Sequence, residues 1–249
     1  MRIALISDIH ANLEALREVA AAIQKEKPDI IIHLGDVVGY GADPLECCRW
    51  VKEHCQVSLL GNHDAVIVGK MDTSYFSAHA RIAIEWTARQ IDIECKTWLE
   101  SLPYTYMIDE FLFSHGSPIN PDQFDYVLDY DTAEEIFRFM VKNNVKIVFV
   151  GHSHKAFLLE KKEGEIHLVD LNGNDVSEFH FDEENLYIVS VGSVGQPRDF
   201  DPRAYYAIFD TEKKYIVAKR VVYDIKGAAD KIRDAGLPEV LADRLYMGR

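Results

Sequence analysis

Five short apolar runs, each closed by a small cluster of polar residues, constrain this 249-residue chain more than any other feature. They span residues 2–7, 29–35, 56–61, 111–114 and 146–151 and are rich in Ile, Leu, Val and Phe. Near-continuous apolar runs of this length suit strands buried on both faces. The runs end in Asp8-Ile9-His10, Gly35-Asp36, Gly61-Asn62-His63-Asp64, Ser114-His115-Gly116 and Gly151-His152-Ser153-His154. Ligands of open α/β sheets bind outside the carboxyl ends of the strands. The five ends are therefore expected to line up two Asp, one Asn and five His along one edge. Half of the ten histidines fall at these ends; His33, His54, His79, His167 and His180 do not and read as ordinary packing or surface residues.

Helical patterns separate the runs. Asn12 is placed to cap a helix whose Leu13, Leu16, Val19 and Ile23 share a face, and Pro28 ends it. Asp43 with Glu46, and Asp131 with Glu134, have capping-box spacing. The second box would open a helix with Ile136, Phe137, Met140 and Val141 inward. Beyond residue 155 the pattern changes to consecutive strands at 157–160, 166–171, 186–191, 205–210 and 215–222, expected to form a second, more antiparallel sheet. Residues 172–185 are polar and read as a loop, and 224–249 as two short helices split at Gly236 and Pro238. The expectation is an α/β fold: one domain, 1–249, of two stacked sheets, with residues 65–103 inserted as a helical cap over a site.

Asp+Glu number 41 against 27 Lys+Arg, a formal charge of −14. So acidic a surface repels nucleic-acid duplexes and anionic lipids. No apolar run is long enough for a transmembrane helix, and the one at the start is too short for a signal peptide, so a cytoplasmic protein without a membrane partner is expected. The cysteines, Cys47, Cys48, Cys55 and Cys95, form no C-x-x-C pair and read as reduced packing residues.

Imidazole nitrogens with carboxylate oxygens suit borderline metals, and the lack of cysteine argues against a structural thiolate zinc site. Seven strong ligands are more than one tetrahedral ion needs, so two ions sharing a carboxylate fit better. Two dications against two aspartates leave positive charge, which would draw a phosphate into an otherwise acidic protein.

In order along the chain, Asp8-x-His10, Gly35-Asp36-x-x-Gly39, Gly61-Asn62-His63-Asp64, Ser114-His115-Gly116 and Gly151-His152-Ser153-His154 resemble the motifs of the calcineurin-like metallophosphoesterases. Gly35–Pro44 and Gly192–Asp199 resemble those of small prokaryotic members. The resemblance implies two mixed β-sheets in a four-layer α/β/β/α sandwich. It implies that Asp8, His10, Asp36 and His154 hold one ion and Asp36, Asn62, His115 and His152 a second, with Asp36 shared. The cofactors would be two transition-metal ions (Mn, Fe, Zn or Ni). His63 would be the general acid at the leaving-group oxygen, and a hydroxide bridging the ions the nucleophile.

The implied substrate is a small phosphorylated compound: a phosphodiester, a nucleotide or a dinucleoside polyphosphate. Two alternatives stand beside that reading, a protein Ser/Thr phosphatase and a catalytically inactive scaffold. Protein Ser/Thr phosphatases of this family follow the shared aspartate with an Asp-Arg pair, and here Gly39 and Tyr40 occupy those positions. The retromer scaffold subunit resembles the family in fold with a degraded site, whereas every ligand and His63 are present here. Arg198 is the candidate phosphate contact, its alternative being an ion pair with Asp199 or Asp201. Asp64 either orients His63 or caps the following helix. Tyr40, Tyr75, Phe76, Phe124 and Tyr126 lie where they could overhang the ions and stack on a base; Phe76 reads as core, on a helical face with Ala80, Ala83 and Ala88.

Overall fold

A computed structural model describes residues 1–171 and 176–249. Strands β1 (Arg2–Ile6), β2 (Ile30–His33) and β3 (Val57–Ser58) run parallel, side by side. Strands β4 (Thr105–Ile108), β5 (Phe111–Ser114) and β6 (Ile147–Val150) belong to a different sheet. The later strands are β7 (Ala156–Lys162), β8 (Glu165–Asp170), β9 (Val176–His180), β10 (Leu186–Val191), β11 (Ala204–Asp210) and β12 (Tyr215–Val221). They are shared between the sheets, whose orders are β3-β2-β1-β11-β12-β9 and β4-β5-β6-β10-β7-β8. The result is two mixed six-stranded sheets. The polar strand ends do not lie on one edge, and the C-terminal strands do not make a sheet of their own. The reason is burial. Strands β10 and β11 are apolar along nearly their whole length, so each takes an interior position, β10 parallel to β6 and β11 antiparallel to β1.

Side-chain alternation sorts the core into layers. Ile3 and Leu5 of β1 point between the sheets toward a core shared with Phe113, Phe149 and Phe209, while Ala4 and Ile6 point outward. Phe149 stacks on Phe113 at 5.1 Å and meets Phe209 of the other sheet at 5.0 Å. Helix α1 (Leu13–Glu26) lays Leu16, Val19 and Ile23 on the outer face of the first sheet. Helices α2 (Pro44–His54), α7 (Ile225–Asp234) and α8 (Glu239–Met247) join it there. Helix α6 (Tyr130–Asn143) covers the second sheet through Ile136, Phe137 and Met140. Between β3 and β4 lie α3 (Asn62–Ile67), α4 (Ala78–Gln90) and α5 (Ile93–Ser101). Both α4 and α5 pack against α2 and α3, so most of the inserted segment flanks the first sheet.

Several local expectations change. Asn12 caps α1 as expected, accepting from Ala15 N at 3.1 Å. Asp43 precedes α2 but makes no side-chain cap; its carboxylate takes the Lys231 ammonium at 2.8 Å. Helix α6 is capped by Asp129, which accepts from Thr132 N, and Glu134 bonds Lys161 instead of closing a box. Val141 is 71% exposed. Of residues 172–185, 172–175 lie outside the described residues, and 176–180 form the edge strand β9 instead of a loop. Its half-buried Ser177 and Phe179 alternate with exposed neighbours, a period-2 signal masked by polar composition. Among the described residues, no helix is long and apolar enough to cross a membrane.

The contrast between Phe149 and Val141 gives a stability test. Phe149→Ala should destabilise by about 3–5 kcal/mol, the usual range for a buried aromatic, and Val141→Ala by less than about 0.5 kcal/mol. Urea unfolding followed by circular dichroism measures both.

Candidate metal centre and active site

The loops after β1, β2, β3, β5 and β6 converge where the two sheets meet. They are tied to one another by backbone hydrogen bonds: Asp8 N to Gly35 O (3.0 Å), His10 N to Asp36 O (3.0 Å) and Gly151 N to His115 O (2.9 Å). To turn the side chains inward, Asp8, His10, Asp36, His152 and His154 adopt left-handed backbone, with φ of 53, 49, 60, 62 and 58°. Such conformations are unfavourable for residues other than glycine, about 1–3 kcal/mol each, and collect at functional sites. Gly61 makes room: a Cβ there would lie 2.1 Å from Asp36 Oδ1.

Each aspartate divides its oxygens in the same way. Asp8 Oδ2 accepts from His152 N at 3.0 Å and Asp36 Oδ1 from His63 N at 2.8 Å. The other oxygens face the imidazoles. Asp8 Oδ1 is 3.3 Å from His154 Nε2 and 3.8 Å from His10 Nε2, and it is buried without a hydrogen bond. Asp36 Oδ2 is 3.6 Å from His10 Nε2 and 3.3 Å from His115 Nε2. Thus one oxygen of Asp36, not two, faces both sides of the cluster. Asn62 Oδ1 lies 3.2 Å from His115 Nε2.

The second ring nitrogens fix the tautomers. His10 Nδ1 meets Val38 O (3.0 Å), His115 Nδ1 meets Leu34 O (2.8 Å) and His154 Nδ1 meets Gln196 O (2.6 Å). A carbonyl only accepts, so each Nδ1 carries a proton. In the neutral ring Nε2 is then a bare lone pair. His10 Nε2 and His154 Nε2 nevertheless stand 3.1 Å apart. Burial pushes both rings well below the ordinary 6.5, with Arg198 adding to the effect at His154, so neither supplies the missing proton. Two lone pairs and an unpartnered carboxylate oxygen facing each other call for a cation between them.

His115 shows the same demand from the other side. Burial pushes it down, but the Asp36 carboxylate outweighs this and raises it to about 9, so that a proton stands between them. Asp36 is held well below the usual carboxylate range against burial, chiefly by His115 and then His63. Burial raises Asp8 to about 7. Three donor groups come together: Asp8, His10 and His154; Asp36, His115 and His152; and His10, Asp36 and His63. The first two, with Asn62 added to the second, contain all seven expected ligands. The carboxylate, imidazole and amide donors fit borderline transition metals.

Asp64 does not touch His63. Its buried carboxylate accepts from Asp36 N (2.8 Å), Val38 N (3.2 Å) and Gly61 N (3.2 Å), with Val37 N at 3.4 Å. It clamps the loop that carries Asp36, a positioning role neither sequence alternative contained in full. Reaching back to Gly61 N does cap α3. His63 Nδ1 is buried without a hydrogen-bond partner, and burial takes the ring to about 4. The ring sits 4.6 Å from Tyr40, 4.6 Å from Phe76 and 4.8 Å from His10.

Above the cluster opens a cleft of about 830 Å³. Tyr40, Tyr75, Phe76, Phe124, Tyr126 and Arg198 all line it. Phe76 precedes α4 and packs on His63, so it is a site residue as well as a core one; the buried face of α4 is Ala80, Ala83, Ile84 and Thr87. Tyr126 stacks on His152 at 3.8 Å, and Tyr75 is an exposed rim residue. Only the 70–80 stretch of the inserted segment reaches the cleft, together with α3. Arg198 does not pair with Asp199 or Asp201, which bond Arg220 and Arg203. Arg244 also lines the cleft, from α8. Sequence reading missed it, because a lone arginine in a charged helix carries no local signal.

A metal-ligand cluster at the carboxyl ends of parallel strands in stacked mixed sheets defines a metal-dependent hydrolase site. Residues 1–156 match the calcineurin-like phosphoesterases, and the chain belongs to that family; it is a metal-dependent phosphoesterase. It is 40% identical to the uncharacterized protein MJ0912 of Methanocaldococcus jannaschii, over 99% of this chain and 98% of that one. A metallophosphoesterase from Sphaerobacter thermophilus superposes with a TM-score of 0.86 at 37% identity, covering 100% and 99% of the two chains. The hypothetical protein PH1004 from Pyrococcus horikoshii OT3 shares the fold, with a TM-score of 0.77, 21% identity and coverage of 100% and 98%.

Two outcomes follow from the geometry. Asp64→Asn puts an amide among backbone N–H donors and should weaken metal binding about 10–100-fold, as loss of an outer partner does. A metal titration against a competing chelator measures this; an orienting role for His63 would instead leave affinity intact. The second outcome concerns His33, which is fully buried with neither ring nitrogen hydrogen-bonded. Burial lowers it from 6.5 to about 3. Below pH 6.5 the unfolded chain takes up this proton and the folded one does not, so this residue makes the metal-free protein progressively less stable as pH drops from 6.5 toward about 3. His33→Leu should reduce that slope by about one proton, roughly 1.4 kcal/mol per pH unit, in urea melts across this range.

Proposed function

We propose that this phosphoesterase hydrolyses a small phosphorylated substrate in the cleft above a binuclear centre of Mn, Fe, Zn or Ni. The observation that carries the reading is the pair of donor groups meeting at Asp36 Oδ2. Asp8, His10 and His154 would hold one ion, Asn62, His115 and His152 the other, and Asp36 would serve both. Bound there, such ions supply Lewis acidity toward phosphate oxygens and lower the pKa of water toward neutrality.

The chain's own residues do the rest. The carbonyls of Val38, Leu34 and Gln196 keep three imidazoles in the metal-ready tautomer. The amides of His63 and His152 hold the carboxylates in place. Arg198, beside His154, faces the non-bridging oxygens of the phosphate. His63, whose ring bonds no carboxylate, is the proton donor to the leaving oxygen. Its low pKa is set by burial and, in part, by Arg198. An anionic substrate offsets that charge and raises the ring toward protonation. Tyr40, Tyr75 and Tyr126 offer faces for a base or other planar group, and the cleft volume suits a nucleotide-sized ligand.

Turnover of para-nitrophenyl and bis-para-nitrophenyl phosphate with added Mn tests the reading. Asp36→Asn should abolish metal-dependent activity. His63→Gln should lower kcat by about 10²–10⁴-fold while leaving metal content unchanged. Wild-type protein that binds metal yet hydrolyses neither phosphoesters nor phosphoanhydrides would overturn it, in favour of a scaffold.

A further inference from the structure

Two arginines in the cleft lack the partners that an acidic chain offers in excess. Arg198 Nη2 and Nε bond Gln196 Oε1 at 2.8 and 3.3 Å, and Arg244 Nη1 bonds the same oxygen at 3.3 Å. Both guanidiniums also sit against the Tyr40 ring, at 5.6 and 6.0 Å from its centre. Among the described residues, no carboxylate lies within 4.0 Å of either, although the chain has 41 acidic residues. One amide oxygen and one phenol ring therefore carry two cations. Arg244 Nε is buried without a partner. Burial and the Arg198 charge both push the Arg244 guanidinium below its ordinary value. Like charges this close to one another are held apart from stable pairing until an anion arrives.

The pair is also built to stay in place. The turn after Arg198 is held by ion pairs from Asp199 to Arg220 and from Asp201 to Arg203. Phe200 N donates to Gly248 O at 2.8 Å, so this turn is tied to the end of α8. Gly248 has φ of 60°, and a Cβ there would lie 2.6 Å from the Asp201 backbone. The helix bearing Arg244 and the loop bearing Arg198 thus interlock.

The two arginines differ in reach. Arg198 donates its backbone N–H to His154 O at 3.1 Å, and its charge acts on His10, His63 and His154. Arg244 contacts Gln196, Tyr40 and the Arg198 charge. Arg198 is thus tied directly to the metal-ligand residue His154, and Arg244 is tied to it through Gln196. We infer that Arg198 and Arg244 form a second anion subsite that takes the phosphoryl group next to the one being cleaved. The preferred substrates are then phosphoanhydrides, with two or more linked phosphates, and Arg244 is a specificity-determining residue. This rests on the phosphoesterase reading above and narrows its substrate.

Calorimetry with Mn-loaded protein separates the two claims, using adenosine 5′-monophosphate and the non-hydrolysable adenosine 5′-(α,β-methylene)diphosphate as probes. The wild type should bind the diphosphate analogue about 10–100-fold more tightly, the usual scale of an added charge-assisted contact. Arg244→Gln should remove that preference and leave monophosphate binding within about twofold, a negligible change on this scale. Gln196→Glu offers a variant with the arginine in place: its carboxylate pairs with both guanidiniums, cancels one of their two charges, and should erase the preference while raising the melting temperature. Equal binding of both probes by the wild type, or a preference that survives both variants, overturns the subsite whether or not turnover is found. Absence of turnover together with an Arg244-dependent preference would sink the hydrolase reading and leave the subsite standing.

Discussion

The structure depends on a contact that protein atoms alone do not satisfy: lone pairs of His10 and His154 at 3.1 Å, with the bare Asp8 Oδ1 beside them. In water such groups would separate and solvate. Here the loops hold them together at nearly zero exposure. The arrangement is unfavourable for protein atoms alone, both electrostatically and through five left-handed residues. His10, His154 and Asp8 would hold a cation there, and it would bond the facing lone pairs and the carboxylate oxygen. Metal binding is thereby coupled to stability, because the unfolded chain has no such preformed set.

Two sheets are needed to make that contact. Asp8, His10 and Asp36 come from the first sheet, His115, His152 and His154 from the second. The aromatic core of Phe113, Phe149 and Phe209 sets the distance between the layers, and the loop-to-loop hydrogen bonds convert that distance into ligand geometry. A tightly packed interior is stiff, so the ligands are positioned before any ion binds. Asp64 extends this logic outward. It spends a buried carboxylate on backbone amides alone, fixing the Asp36 loop through the most strongly bonding acceptor available.

The strand ends were legible in the sequence because each combines a buried apolar run with a polar cluster, and that juxtaposition is local. All seven expected ligands fall in the three buried donor groups or against them, with Asn62 touching His115. Sheet membership was less legible, since it depends on which strand bears burial on both faces, and β10 and β11 show this only in comparison with their neighbours. Strand β9 is hidden by polar residues on its exposed face, and Val141 lies one residue past Met140, off the inward face of α6, where apolar character alone does not report burial. Asp64 looked like a partner of His63 from adjacency alone. In a helix, neighbours in sequence point about 100° apart, and its carboxylate turns back to the preceding loop. Arg244 is the plainest omission: its meaning comes from Gln196 and Tyr40, which are 48 and 204 residues away in the chain.

Charge gives the cleft its character. The chain's formal charge of −14 leaves carboxylates in excess of its cationic side chains. Asp199 and Asp201 lie within three residues of Arg198 and are both directed to other arginines. The cleft's guanidiniums are left facing an amide oxygen and an aromatic ring, partners that hold them in place without neutralising them. The acidic exterior disfavours long polyanions, while Arg198 and Arg244 inside the cleft offer a short anion local partners. The proposed preference for a small phosphorylated molecule over a nucleic acid rests on this contrast between the two surfaces, before any shape complementarity is considered.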